Sequence, residues 1–91
     1  MEVNKDIVIK NKTGLHARPA ALFVQIANKY DSDIFITKGD LGVNGKSIMG
    51  ILMLAAEKGS KITITARGED AEHAINELTA LLSQDTDPKS S

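Results

Sequence analysis

Lys61-Ile62-Thr63-Ile64-Thr65-Ala66 alternates apolar and polar side chains without a break. In an extended chain Ile62, Ile64 and Ala66 fall on one side and Thr63 and Thr65 on the other. That is the pattern of a strand with one buried face and one solvated face. After Gly68-Glu69-Asp70 the period changes. Ala71, Ala74, Ile75, Leu78, Leu81 and Leu82 recur at helical spacing, while Glu72, Asn76, Glu77 and Thr79 lie away from them. A half-buried strand running into an amphipathic helix asks for a helix laid on a sheet.

The chain before this stretch repeats the theme. Ile48 to Leu54 reads as a short helix, with Ser47 as a good N-cap and Lys58-Gly59 as a stop. Its apolar residues are too many for one stripe. Ile51 and Leu54 are expected inward, and Ile48, Met49 and Leu52 partly outward. Ile34 to Lys38 and Leu41 to Asn44 read as strands around a Lys38-Gly39-Asp40 turn. Leu22, Phe23, Ile26, Ala27 and Tyr30 form the stripe of a helix that starts near Ala17, carries Pro19 in its first turn and ends at Asp31-Ser32-Asp33. Val3 to Lys10 alternates again, with Val3, Lys5, Ile7 and Ile9 on the inward face, and Asn11-Lys12-Thr13-Gly14 makes the turn that follows.

The order strand, helix, strand, strand, helix, strand, helix predicts an α+β fold. A four-stranded sheet with three helices on one face buries every stripe. Alternating rather than continuously apolar strands predict an antiparallel sheet. Residues 1–84 are expected to form one domain, and the polar segment 85–91 a disordered tail.

The chain has 91 residues, 42% hydrophobic and 25% charged, an ordinary globular mixture. Eleven basic against 12 acidic residues give a formal charge of -1, which argues against a general nucleic-acid binder but leaves room for a local basic patch. With no cysteine, thiolate metal sites and disulfides are excluded. No apolar run approaches membrane-spanning length, and Met1 to Asp6 lacks the form of a signal peptide. A cytoplasmic protein without membrane insertion is expected.

His16 is the first candidate for chemistry. It sits where loop turns into helix, and the first N–H groups of a helix lack internal partners and carry partial positive charge. An anion is stabilised there. A neutral imidazole is also a nucleophile near pH 7. Arg18 adds a planar fork of donors suited to phosphate oxygens. Alone, a His-x-Arg pair favours by a wide margin a plain helix cap with a solvated surface cation. Gly14 and Pro19 define the corner around it without proving chemistry. No P-loop pattern and no metal-ligand spacing accompany the pair. No cofactor or metal is therefore expected, and donor and acceptor proteins must supply the remaining groups. Ser47 could take a phosphate at the start of its short helix. His73 reads as a surface histidine. Lys46 reads as a solvated charge able to meet a partner.

Gly14-Leu15-His16-Ala17-Arg18-Pro19-Ala20 resembles the active-site signature of the HPr family, the phosphocarriers of the bacterial phosphoenolpyruvate-dependent sugar phosphotransferase system. Val43-Asn44-Gly45-Lys46-Ser47-Ile48-Met49-Gly50 resembles the family's second signature, around a regulatory serine. The likeness runs from Val3 to Leu82. It implies an open-faced β-sandwich, and a carrier rather than an enzyme. It implies that enzyme I phosphorylates Nδ1 of His16, that Arg18 binds the phosphate, and that the group passes to IIA components of sugar permeases. Ser47 matches the serine that HPr kinase/phosphorylase modifies in some bacteria, which alters binding to regulators, including a transcriptional regulator. Ala17, Ala21, Ile48, Met49 and Leu52 match the partner-docking surface, and a monomer is expected.

Two departures keep an alternative open. Leu52-Met53-Leu54-Ala55-Ala56 replaces the more glycine-containing stretch common in sugar-branch carriers. A similar segment occurs in relatives from mainly regulatory systems, including the nitrogen-related branch. Leu22 stands where some members have a polar residue. The alternative is a regulatory relay, or a binding module controlled through Ser47, without sugar transport.

Overall fold

The computed structural model describes residues 1–10, 12 and 14–83. Strands β1 (Glu2–Val8), β2 (Asp33–Lys38), β3 (Leu41–Asn44) and β4 (Lys61–Arg67) alternate with helices α1 (Ala17–Ala27), α2 (Ile48–Met53) and α3 (Ala71–Leu82) in the predicted order. The expected tail, 85–91, lies outside the described residues. The sheet order is β1-β4-β2-β3, and every pairing is antiparallel. β4 is thus a central strand. Its alternation becomes a register in which Ile62 faces Ile7 across β1 and Ile64 faces Ile36 across β2. Ile62, Ile64 and Ala66 are buried, as are all six stripe residues of α3. This is the open-faced α+β sandwich that the alternation and the helical stripes predict.

The solvated face of the sheet is laced by side chains. Thr63 donates to Asp6, Thr65 to Asn4 and the Arg67 guanidinium to Glu2, at 2.7, 2.6 and 2.7 Å. Each pair lies directly across the β1–β4 register.

Four details differ from the sequence reading. β1 stops at Val8, although Ile9 still exchanges backbone hydrogen bonds with Ser60 and Gly59. Lys5 shares the inward face but is exposed, as suits a charge on an edge strand. The deepest row of α1 is Pro19, Ala20, Phe23 and Ala27, with Leu22, Ile26 and Tyr30 only half-buried. α1 also ends at Ala27, short of Asp31, and Asp33 already belongs to β2. The reason for the early stop is local. The Asn28 amide side chain donates to the Val24 carbonyl at 3.0 Å, and Tyr30 N–H folds back to the Ala27 carbonyl.

The connection from Asn28 to Ser32 is held by α3. Asp70 accepts from the backbone N–H groups of Asp31 and Ser32 at 2.9 and 3.0 Å and from the Ser32 hydroxyl. Those bonds, the Ser32 hydroxyl first, hold the Asp70 carboxyl below its ordinary value. Glu77 accepts from Lys29 at 2.7 Å and from the Tyr30 hydroxyl. Lys29 and then Tyr30 hold its carboxyl low, and the same carboxylate holds the Tyr30 phenol high.

Candidate functional site

His16 is the N-cap of α1, with extended backbone (φ -96, ψ -166), and its carbonyl accepts the Ala20 N–H at 3.0 Å. Its side chain makes no capping bond to the helix. Pro19 has no N–H to offer, so helix geometry leaves the Ala17 and Arg18 N–H groups as the donors without an intrahelical acceptor. Arg18 is exposed and His16 half-buried. The sequence-predicted pair therefore stands at the start of one helix, with an imidazole, two backbone donors and a guanidinium within three consecutive residues. Such a corner can receive a phosphoryl group on nitrogen and hold its oxygens.

The loop leading into His16 is seated on a second turn. Leu15 N–H donates to the Ala56 carbonyl at 2.8 Å. Gly14 has φ +71, and a Cβ there would strike the Ala56 oxygen and come within 2.8 Å of Glu57 Cα. Only glycine fits this contact. Close by, Val8, Ile9, Lys10, Lys12, Lys58 and Gly59 line an open cleft of about 490 Å³. Its three lysines are the local basic patch that the overall charge left open. Their field favours anions at this end of the molecule.

Ser47 is the N-cap of α2 and uses its side chain as such: its Oγ accepts the Gly50 N–H at 3.0 Å. α2 packs beside α1. Ile51 and Leu54 are buried, Ile48 and Met49 are exposed at 38% and 66%, and Leu52 is half-buried, matching the expected inward and outward split. Ala17 is exposed and Ala21 half-buried on the neighbouring helix. Met53, 65% exposed, extends the apolar surface and was missed in the sequence reading. The signal was present, because Met49 and Met53 are one helical turn apart. Lys46, read as a solvated charge, instead donates to the Tyr30 carbonyl at 2.8 Å. His73 is exposed, as expected.

Among the described residues no group of three His, Cys, Asp or Glu side chains is placed to hold a metal. No helix among them is long and apolar enough to cross a membrane.

Comparison with known proteins converges on one family. Residues 3–84 match the family model described as the PTS HPr component phosphorylation site. The HPr-like protein Crh of Bacillus subtilis is 46% identical over 83 residues, covering 91% of this chain and 98% of Crh. The phosphocarrier protein HPr of Bacillus anthracis superposes with a TM-score of 0.87 at 54% identity, covering 90% of this chain and 98% of that one. A crystal structure of B. subtilis Crh, described as a catabolite repression protein, gives a TM-score of 0.74 at 45% identity, covering 92% and 97% of the two chains. That relative is a domain-swapped dimer, which stands against the expectation of a monomer drawn from sequence.

Proposed function

The chain belongs to the HPr family of phosphocarriers, and we propose that it takes a phosphoryl group from phospho-enzyme I onto His16 and hands it to IIA components of the phosphotransferase system. The observation that carries this reading is the α1 corner, where His16 precedes two backbone donors and Arg18. As the P–N bond to the imidazole forms, the bond to the donor breaks. The three phosphoryl oxygens keep their charge throughout, and Arg18 with the Ala17 and Arg18 N–H groups neutralises it. In this reading the protein is a cytoplasmic carrier, and enzyme I and the IIA components complete the site. Ala17, Ala21, Ile48, Met49 and Leu52, with Met53 added, form the apolar surface on which those partners dock.

Incubation with a competent enzyme I and phosphoenolpyruvate should place acid-labile phosphate on His16. No incorporation sinks the proposal. Ser47 is the proposed regulatory position, addressed by an HPr kinase/phosphorylase where one is present. A phosphate there would sit beside the docking residues Ile48 and Met49.

The second reading is a Ser47-controlled binding module that meets a transcriptional regulator, or a regulatory relay without sugar transport. The 46% identity to Crh and the glycine-poor segment Leu52–Ala56 favour it. The presence of both His16 and Arg18 favours the relay. If every cellular effect survives His16→Ala, the binding-module reading wins.

A further inference from the structure

Ala55 has φ +51, the one non-glycine residue with positive φ among the described residues. A left-handed alanine is disfavoured, because its Cβ crowds the following carbonyl oxygen, so its surroundings must hold it. Two things do. Ala55 N–H closes back on the Leu52 carbonyl at 3.1 Å, in the position after a helix where glycine is the usual residue. The Lys38 ammonium, reaching from the end of β2, donates to the carbonyls of Leu54 and Ala55 at 3.4 and 3.2 Å. A cation is well placed at a helix C-terminus.

The reversal at Ala55 turns the next residue, buried Ala56, toward the loop before His16. The Ala56 carbonyl then accepts the Leu15 N–H, and the backbone of Gly14 lies against Ala56 and Glu57. Leu15 is itself buried and immediately precedes His16. A continuous path thus runs from Lys38 and Ala55, through the Ala56 carbonyl and the Leu15 amide, to the residue that starts α1. Strain held at such a place points to function.

We propose that Ala55 and Lys38 are positioning residues for His16: the left-handed turn, pinned by the lysine, sets where the Ala56 carbonyl meets the Leu15 amide and so fixes the pose of the imidazole. This rests on the carrier role of His16. Neither residue touches the phosphoryl group. Their effect falls on the rate of transfer more than on partner affinity, because neither the Ala55 nor the Lys38 side chain is part of the apolar docking surface, although the turn begins next to Leu52 and Met53.

The test measures phosphoryl acceptance from phospho-enzyme I, with kcat and KM for this chain as substrate, together with NMR shifts of the Leu15 amide and the His16 ring. Labelling of the unsubstituted chain checks the carrier role first, so its failure is distinguishable from failure of the positioning role. Ala55→Val, a β-branched residue ill-suited to positive φ, should lower kcat about 10- to 100-fold with little change in KM. It should also move both sets of resonances. Lys38→Met should act in the same direction more weakly, and Lys38→Arg should restore the rate. Ala55→Gly, which keeps the turn without strain, should transfer at the parent rate. Unchanged kcat and unchanged His16 ring shifts in folded Ala55→Val overturn the proposal. If that variant does not fold, the same result in Lys38→Met overturns it. So does a tenfold loss in Ala55→Gly.

Discussion

His16 and Ser47 occupy the same place in two helices, and the molecule uses them in opposite ways. Each has extended backbone, and each lends its carbonyl to a residue four positions on, Ala20 and Ile51, at 3.0 Å. The Ser47 side chain then closes the corner by accepting the Gly50 N–H. The His16 side chain makes no such bond to α1. Pro19 removes one further donor, and helix geometry gives the Ala17 and Arg18 N–H groups no intrahelical acceptor. The Ser47 corner satisfies its helix from within; in the proposed function the His16 corner is the one that receives the anion. A helix N-terminus is therefore not a site by itself. What distinguishes the two is whether the N-cap side chain consumes the donors.

The largest effect expected from that contrast is at His16. His16→Ala should abolish acid-labile phosphate incorporation from phospho-enzyme I in a chain that still unfolds cooperatively, because this side chain is not part of the buried core. Autoradiography or intact-mass measurement, paired with a melting curve, checks both halves. A strong loss of stability would mean that the imidazole supports the fold as Ser47 does. Next is Arg18. Replacing it by Ala removes the side-chain donors aimed at the phosphoryl oxygens and should slow transfer about 10²-fold. Quenched-flow labelling reads that rate. An unchanged rate would leave the backbone donors as the whole cradle.

Ser47 should answer in the other currency. Ser47→Ala loses the cap of α2 and should cost about 1 kcal/mol of stability, measured by urea unfolding. Transfer through His16 should change little. Ser47→Asp, which keeps an acceptor oxygen, should recover part of the lost stability. If Ser47→Ala instead slows labelling at unchanged stability, the two corners are coupled through α1 and α2 and the contrast fails.

Much of this was legible before any coordinates. The alternation of Lys61 to Ala66 identified a half-buried strand because a strand's period is two and β4 has one face on the core. The α3 stripe was read residue for residue, because a helix covering a sheet needs that width of apolar face. Ser47 was legible as a cap for the same local reason. The His16 corner was legible as anion-friendly, and its chemistry became specific through the motif as a whole. What sequence did not reveal was set by distant partners. The seating of the connection after α1 depends on Asp70 accepting from Asp31 and Ser32, 39 and 38 residues away. Which residues of α1 go deepest depends on how it lies over α2 and α3. The support under His16 comes from Ala56, and nothing near Leu15 announces that contact.

Asp70 supplies a third helix start and the smallest effect. It precedes α3 but makes no side-chain cap there, and its carboxylate crosses to the segment before β2 instead. Neither an anion site nor a cap, it works as a strap. Its carboxyl is held low, as is that of Glu77, which ties α3 to Lys29 and Tyr30. A group whose folded value lies below its unfolded value contributes stability that is fully present above the unfolded value. That contribution is lost as pH falls through the folded one. The melting temperature should therefore hold at neutral pH and decline as the medium is acidified below about pH 4. Asp70→Asn should shallow that acid limb, and Glu77→Gln should do the same. Both carboxylates face solvent, so each change should be smaller than the loss from Ser47→Ala. Melting curves recorded from neutral to acid pH distinguish the outcomes. Asp70→Asn should still accept phosphate on His16 at the parent rate near neutral pH, because its strap holds the far end of α1. A parallel acid limb in parent and variant would mean that the Asp31–Ser32 segment holds without it. The contrast would then reduce to two corners, one spent on the fold and one left for phosphate.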